Sequence, residues 1–199
     1  MRHIFLLVGI LLLLVLFTNC TPSPAHDSKP TQIPTPTPPL TEEWSPDGII
    51  KVREYYGSNN YGDYTIHWRS DEQYIYVGMT AKTDGWVAMA IQPGSRMKDA
   101  DMVFGFIKNG AVEVHDLYST GNFGPHSTDI ELGGTDDILA FGGREEGGFT
   151  TIEFKRSFTT TDKYDISIQK EVNRIIWAYG SSDSLTVKHS TRGYGEINL

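Results

Sequence analysis

The apolar residues of this chain come in short runs broken by Gly, Asn and Asp, and no window of about a dozen residues carries them at helical period. That constrains the fold more than any other feature, because a chain without amphipathic helices must bury its surface by packing sheet faces on one another. Tyr64–Trp68 alternates, with Tyr64, Ile66 and Trp68 on one face. In Tyr74–Met79, Ile75, Val77 and Met79 share a face. Trp86–Ile91 and Met102–Ile107 are apolar on both faces, as central strands covered on both sides are. Lys108-Asn109-Gly110-Ala111 predicts a tight hairpin, since Asn-Gly tolerates the positive φ angles of a type I′ turn, and Val112 and Val114 continue on the returning strand. Ile138–Phe141, Phe149–Phe154 and Ile175–Tyr179 are further strands, with Gly142, Gly143, Gly147 and Gly148 read as the turn between the first two. A phosphate-cradling role for these glycines is excluded because no helix follows to supply free amides. The expectation is an all-β, antiparallel, immunoglobulin-like sandwich in one domain without internal repeats.

The N-terminal part reads differently. Ile4–Phe17 is an apolar run behind Arg2 and His3, too short to span a bilayer comfortably and suited to a secretory leader. Residues 1–19 are therefore read as a lipoprotein-type signal peptide and Cys20 as its lipidated residue; the alternative is an uncleaved membrane anchor. From Cys20 to residue 41 the chain is a Pro/Thr/Ser-rich linker, with Pro22, Pro24, Pro30, Pro34, Pro36, Pro38 and Pro39 blocking helix and sheet alike. Extended at ~3.1 Å per residue, such a tether reaches up to ~60 Å. The expected location is extracytoplasmic, anchored to the membrane by the lipid, with residues 42–199 as the folded domain. Cys20 is the only cysteine, which excludes a disulfide within the chain and Cys-rich zinc sites. A net charge of −8 excludes nucleic acid as a partner.

Several blocks occur in a recognisable order. Gly85-Trp86-Val87-Ala88 precedes the polar loop Ser95–Asp101, which holds Met97 and leads into Met102-Val103-Phe104-Gly105. Phe154-Lys155-Arg156-Ser157-Phe158, Asp162, Ile175–Gly180 and His189-Ser190-Thr191-Arg192-Gly193 follow. This pattern resembles the DOMON domain family, the β-sandwich module found beside dopamine β-monooxygenase and in extracellular b-type cytochromes. The resemblance implies a DOMON-type sandwich. From the haem-binding branch it implies Met97 and His189 as axial ligands of haem b. A thioether and an imidazole raise the reduction potential of iron, and six-coordinate iron suits one-electron transfer to a redox partner protein. No Cys-x-x-Cys-His is present, so such a haem is held non-covalently. The copper chemistry of the monooxygenase relatives resides in other domains, and no His-rich copper motif occurs here. The expectation is an electron-transfer or binding domain and not an enzyme.

Other residues are weighed beside these. Met97 can also be a loop methionine over the end of the sandwich, and His189 a turn histidine. Tyr55, Tyr56, Tyr61, Tyr64 and Tyr194 could form a stacking platform, and carbohydrate or another small ligand is the alternative partner. His67 is expected on a solvated face. His115, Asp116 and His126 form a weaker metal candidate, and Asp136-Asp137 either binds calcium or faces water. No Ser, His and acid fall at a nucleophile's motif spacing.

Overall fold

The computed structural model describes residues 42–199; the leader, Cys20 and the linker expected over residues 1–41 lie outside them. The strands are β1 (Gly57–Asn60), β2 (Tyr64–Ser70), β3 (Tyr74–Ala81), β4 (Val87–Ile91), β5 (Asp101–Lys108), β6 (Ala111–Tyr118), β7 (Ser127–Thr128), β8 (Ile138–Glu146), β9 (Phe149–Ser157), β10 (Val172–Tyr179) and β11 (Thr191–Asn198), with a one-turn helix α1 (Asp129–Leu132). They form a five-stranded sheet, β1-β2-β3-β9-β8, and a six-stranded sheet, β11-β10-β4-β5-β6-β7. Every strand pair is antiparallel. The all-β sandwich read from the sequence is the one observed.

Alternation decides what faces the core. Tyr64, Ile66, Ile75, Val77 and Met79 from the first sheet meet Val87, Met89, Ile91, Val103 and Ile175 from the second, all at most 1% exposed. The β5–β6 hairpin turns at Asn109 and Gly110 with φ of 53° and 79°, as Asn-Gly predicts. Trp177 stacks between Tyr61 and Tyr64, with ring centroids 5.2 and 5.0 Å away. Opposite it in register is Gly193, where a Cβ would stand 2.3 Å from the indole, so the bare backbone of β11 is what lets this ring lie flat.

Two readings need correction. Gly142 and Gly143 are inside β8; the turn is Gly147-Gly148 alone. A Cβ on Gly142 would sit 1.7 Å from the Pro46 carbonyl oxygen, because the segment preceding β1 crosses β8 there. The same segment covers the outer face of the first sheet, so His67 is half-buried against Tyr55, with ring centroids 5.8 Å apart, rather than solvated. β1 and β11 carry no strand signal in the sequence, because their Gly, Asn and other polar residues mask the alternation.

That segment is fastened by acids. Glu153 is fully buried and accepts from the Gly48 N–H and the Tyr55 hydroxyl, each at 2.7 Å, and Tyr55 in turn accepts from Trp44 Nε1 at 2.8 Å. Burial pushes the Glu153 carboxyl up to about 7. Between the sheets, Arg156 of β9 reaches across to Asp101 of β5. Its Nη1 lies 2.8 Å from both carboxylate oxygens and its Nη2 lies 3.1 Å from Asp165, with all three side chains at most 2% exposed.

Two outcomes follow from these buried charges. Arg156→Met leaves Asp101 and Asp165 without their cation and should cost about 3–5 kcal/mol in a denaturant titration; a loss under ~1 kcal/mol would show the bridge does not hold the sheets together. For Glu153 the folded pKa exceeds the unfolded one, so the native state keeps a proton the unfolded chain has released. Its contribution to stability is intact below the unfolded carboxylate range and is lost as pH rises through about 7. Melting curves from pH 5 to 8 should show Glu153→Gln gaining on the wild type as pH rises; parallel curves would refute the linkage.

Candidate functional site

The outer face of the six-stranded sheet is not flat. Ala178, Ala88 and Phe104 lie side by side across β10, β4 and β5, and Ile176, Ala90 and Met102 form the next row. Three of these six outward positions are alanine, and the space their missing side chains leave is the floor of an apolar cavity of about 340 Å³. That volume falls in the ~300–1,000 Å³ range of small-molecule and cofactor pockets. Trp86 and Phe104, 4.8 Å apart, form one wall.

Three loops complete it. The first joins β4 to β5 and carries Met97. It is knotted by its own backbone: the Gly94 N–H donates to the Lys98 carbonyl at 2.9 Å, Lys98 to Ser95 at 3.1 Å and Ala100 to Met97 at 3.1 Å. Gln92, Arg96 and Asp99 adopt φ of 45°, 58° and 62°, the left-handed region that disfavours side chains. Strain of this kind persists where surrounding structure enforces it and clusters at functional sites. The result is that half-buried Met97 is held against the cluster of Ala90, Ala100, Met102, Leu117 and Ile176.

The second loop, between β10 and β11, carries His189. It is pinned to Trp86, whose indole N–H donates to the Val187 carbonyl at 3.2 Å, while the Gly180 N–H donates to the Trp86 carbonyl at 2.9 Å. A Cβ on Gly180 would lie 2.4 Å from the indole nitrogen, so glycine is required for that approach. Burial, followed by the charges of Arg192 and Lys188, pushes the His189 imidazole down and keeps it neutral. The third loop brings Phe123 and His126 to the rim; burial, then His189, pushes His126 down as well. A neutral imidazole offers a lone pair to a metal.

Met97 and His189, singled out by the sequence, therefore line one cavity. His126, read together with His115 and Asp116, belongs to this cavity instead. His115 stacks on Phe106 at 5.6 Å and lies 3.4 Å from Glu113, while Asp116 points between the sheets and accepts from the Asp137 N–H at 3.0 Å. Those three are thus separate. Asp136 caps the Ile138 N–H at 3.1 Å. The tyrosines form no common platform: Tyr55 and Tyr56 are tied to Glu153 and Ser70, Tyr61 and Tyr64 sandwich Trp177, and only Tyr194 is openly exposed. His126 had no spacing signal, because a loop brings it over the sheet.

The DOMON domain family profile matches residues 59–180. The chain belongs to the DOMON domain family. Among similar proteins, MOXD1 homolog 1 of Drosophila melanogaster is 25% identical over 126 residues, which is 62% of this chain and 18% of that protein. Putative DBH-like monooxygenase protein 2 of Homo sapiens is 26% identical over 123 residues, 60% of this chain and 24% of that one. The chain thus spans only a small part of these relatives. The cytochrome b domain of pyranose dehydrogenase from Coprinopsis cinerea shares the fold, with a TM-score of 0.51 and 13% identity over 68% of this chain and 75% of that domain.

If the alanine floor makes the DOMON cavity, Ala88→Phe should fill it. Binding of an apolar fluorescent dye should fall about tenfold or more, ~1.4 kcal/mol, with far-UV circular dichroism unchanged. Undiminished dye binding would place the apolar surface elsewhere.

Proposed function

We propose that this DOMON domain binds haem b non-covalently and passes single electrons, held at the membrane surface by a lipid on Cys20 through the linker that ends at residue 41. The observation that carries the reading is that Met97 and His189 line the same apolar cavity. A solved structure of similar fold is a cytochrome b domain, which adds support.

The residues present fit the group. Met97 supplies a soft thioether and His189 a neutral imidazole, the pair that suits iron cycling between two oxidation states. Haem supplies the one-electron couple; the protein supplies the rest. Trp86, Phe104, Ile176 and the alanines exclude water. Lys188 lines the cavity and its charge and that of Arg192 reach His189, so positive charge sits beside this ligand in a chain of net charge −8, where an anionic edge or an acidic redox partner would approach. The strained loop holds Met97 in place before any ligand arrives, which limits reorganisation when the charge on iron changes.

The test is spectroscopic. The full chain, supplied with haem and purified, should be red, with a low-spin spectrum that sharpens on reduction. Met97→Ala should lower the reduction potential and convert the iron to a high-spin or altered ligation state. His189→Ala should lose most of the haem, and His126→Ala should keep the wild-type spectrum. A colourless protein, or bands untouched by Met97→Ala with His189→Ala, would end this reading.

A further inference from the structure

On the opposite side of the six-stranded sheet from the cavity, four aspartates gather around one arginine. Asp101 lies on β5, Asp116 on β6, Asp129 opens α1, and Asp165 lies between β9 and β10. One oxygen from each of Asp101, Asp116 and Asp165 lies within 4.8 Å of the others. Asp101 is satisfied by Arg156 and by the Ile166 N–H at 2.8 Å. The others are not. Asp129 is 1% exposed, and neither of its oxygens accepts a hydrogen bond among the described residues. Asp116 is 3% exposed; its Oδ2 takes the Asp137 N–H, and its Oδ1 takes nothing. Asp165 has its Oδ1 3.1 Å from Arg156 Nη2 and no hydrogen bond at either oxygen. The charges of Asp101 and Asp165 both act on Asp129, so its buried carboxylate belongs to the same group.

We propose that Asp101, Asp116, Asp129 and Asp165 form a binding site for a hard divalent cation, with calcium the ion they suit best. Four carboxylates face one guanidinium, and buried carboxylates without counter-charge or donors are strongly disfavoured. The donors are all oxygen, with no Cys or His among them, which sets the site against zinc and copper and towards calcium. Calcium binds oxygens at ~2.3–2.6 Å, so oxygens across its shell lie up to about 5 Å apart, the spread that Asp101, Asp116 and Asp165 show; Asp129 lies beside these three, within reach of the charges of Asp101 and Asp165. The unpartnered Oδ1 of Asp116 and the two unpartnered oxygens of Asp129, with the Asp165 carboxylate that Arg156 shares, would supply part of such a shell. The loop that leaves β6 for α1 carries Phe123 and His126, so an ion clasping Asp116 and Asp129 would fix both ends of that wall of the cavity.

The experiment uses the full chain, stripped with a chelator, and needs no haem, so it stands or falls apart from the cytochrome reading. Calcium chloride is compared with sodium chloride of matched ionic strength. With calcium at ~100 times its Kd the melting temperature should rise by about 5–10 °C, and competition with a chromophoric chelator should give one ion per chain. Asp129→Asn should melt no lower than the wild type without calcium, since it relieves repulsion, and should lose the calcium shift. Asp136→Asn, an exposed acid outside the group, should keep it. A calcium effect no larger than sodium's, zero stoichiometry in the competition, or a full shift in Asp129→Asn would overturn the site. If Asp129→Asn does not fold, Asp116→Asn gives the same reading.

Discussion

Arg156 carries its charge into a part of the sandwich that water does not reach, and it does so from one sheet toward the other. A guanidinium there is tolerable only if carboxylates meet it, and Asp101 meets it with both oxygens. The hydrophobic core holds the two sheets together without direction, since apolar contact tolerates sliding. A guanidinium whose two terminal nitrogens meet two different carboxylates, Asp101 and Asp165, does not. The bridge fixes β9 against β5, and because side chains alternate, fixing Asp101 inward turns Met102 and Phe104 outward. The cavity and the buried acids are therefore opposite faces of one strand, set by a single register.

The cavity follows from size as much as from polarity. Central strands read as apolar on both faces, and a sheet covered on its outer side would ordinarily fill that side with Leu, Ile or Phe. Here β4 and β10 offer alanine at three adjacent positions. Loops, rather than another layer of structure, roof the resulting space. The loop with Met97 is bound to itself and strained; the loop with His189 is bound to Trp86. Both are set before a ligand is present, which is the condition for a preorganised binding site.

Much of this was legible in the chain. The alternating runs, the Asn109-Gly110 turn and the absence of helical period led to the sandwich, and Met97 and His189 stood out within the ordered blocks. What stayed hidden has physical causes. β1 and β11 are poor in apolar residues because edge strands bury little. Gly142 looked like a turn residue because nothing in sequence distinguishes a flexible glycine from one crowded by Pro46. His67 looked solvated because a covering segment far away in sequence leaves no mark on strand alternation.

The amino-acid order alone determined that the chain must be a sandwich, since period two without period 3.6 leaves sheet faces as the only surface to bury. It also determined which donors were at hand, a thioether and a few imidazoles. Only the tertiary structure decided their company. It sent His126 to the cavity and Asp116 to the arginine, although the two lie close in the chain. It also gathered four aspartates whose sequence positions span residues 101–165. Sequence fixes which face of a strand a residue occupies. Which residues share a space depends on how sheets stack and loops return, and those are long-range contacts no local pattern encodes.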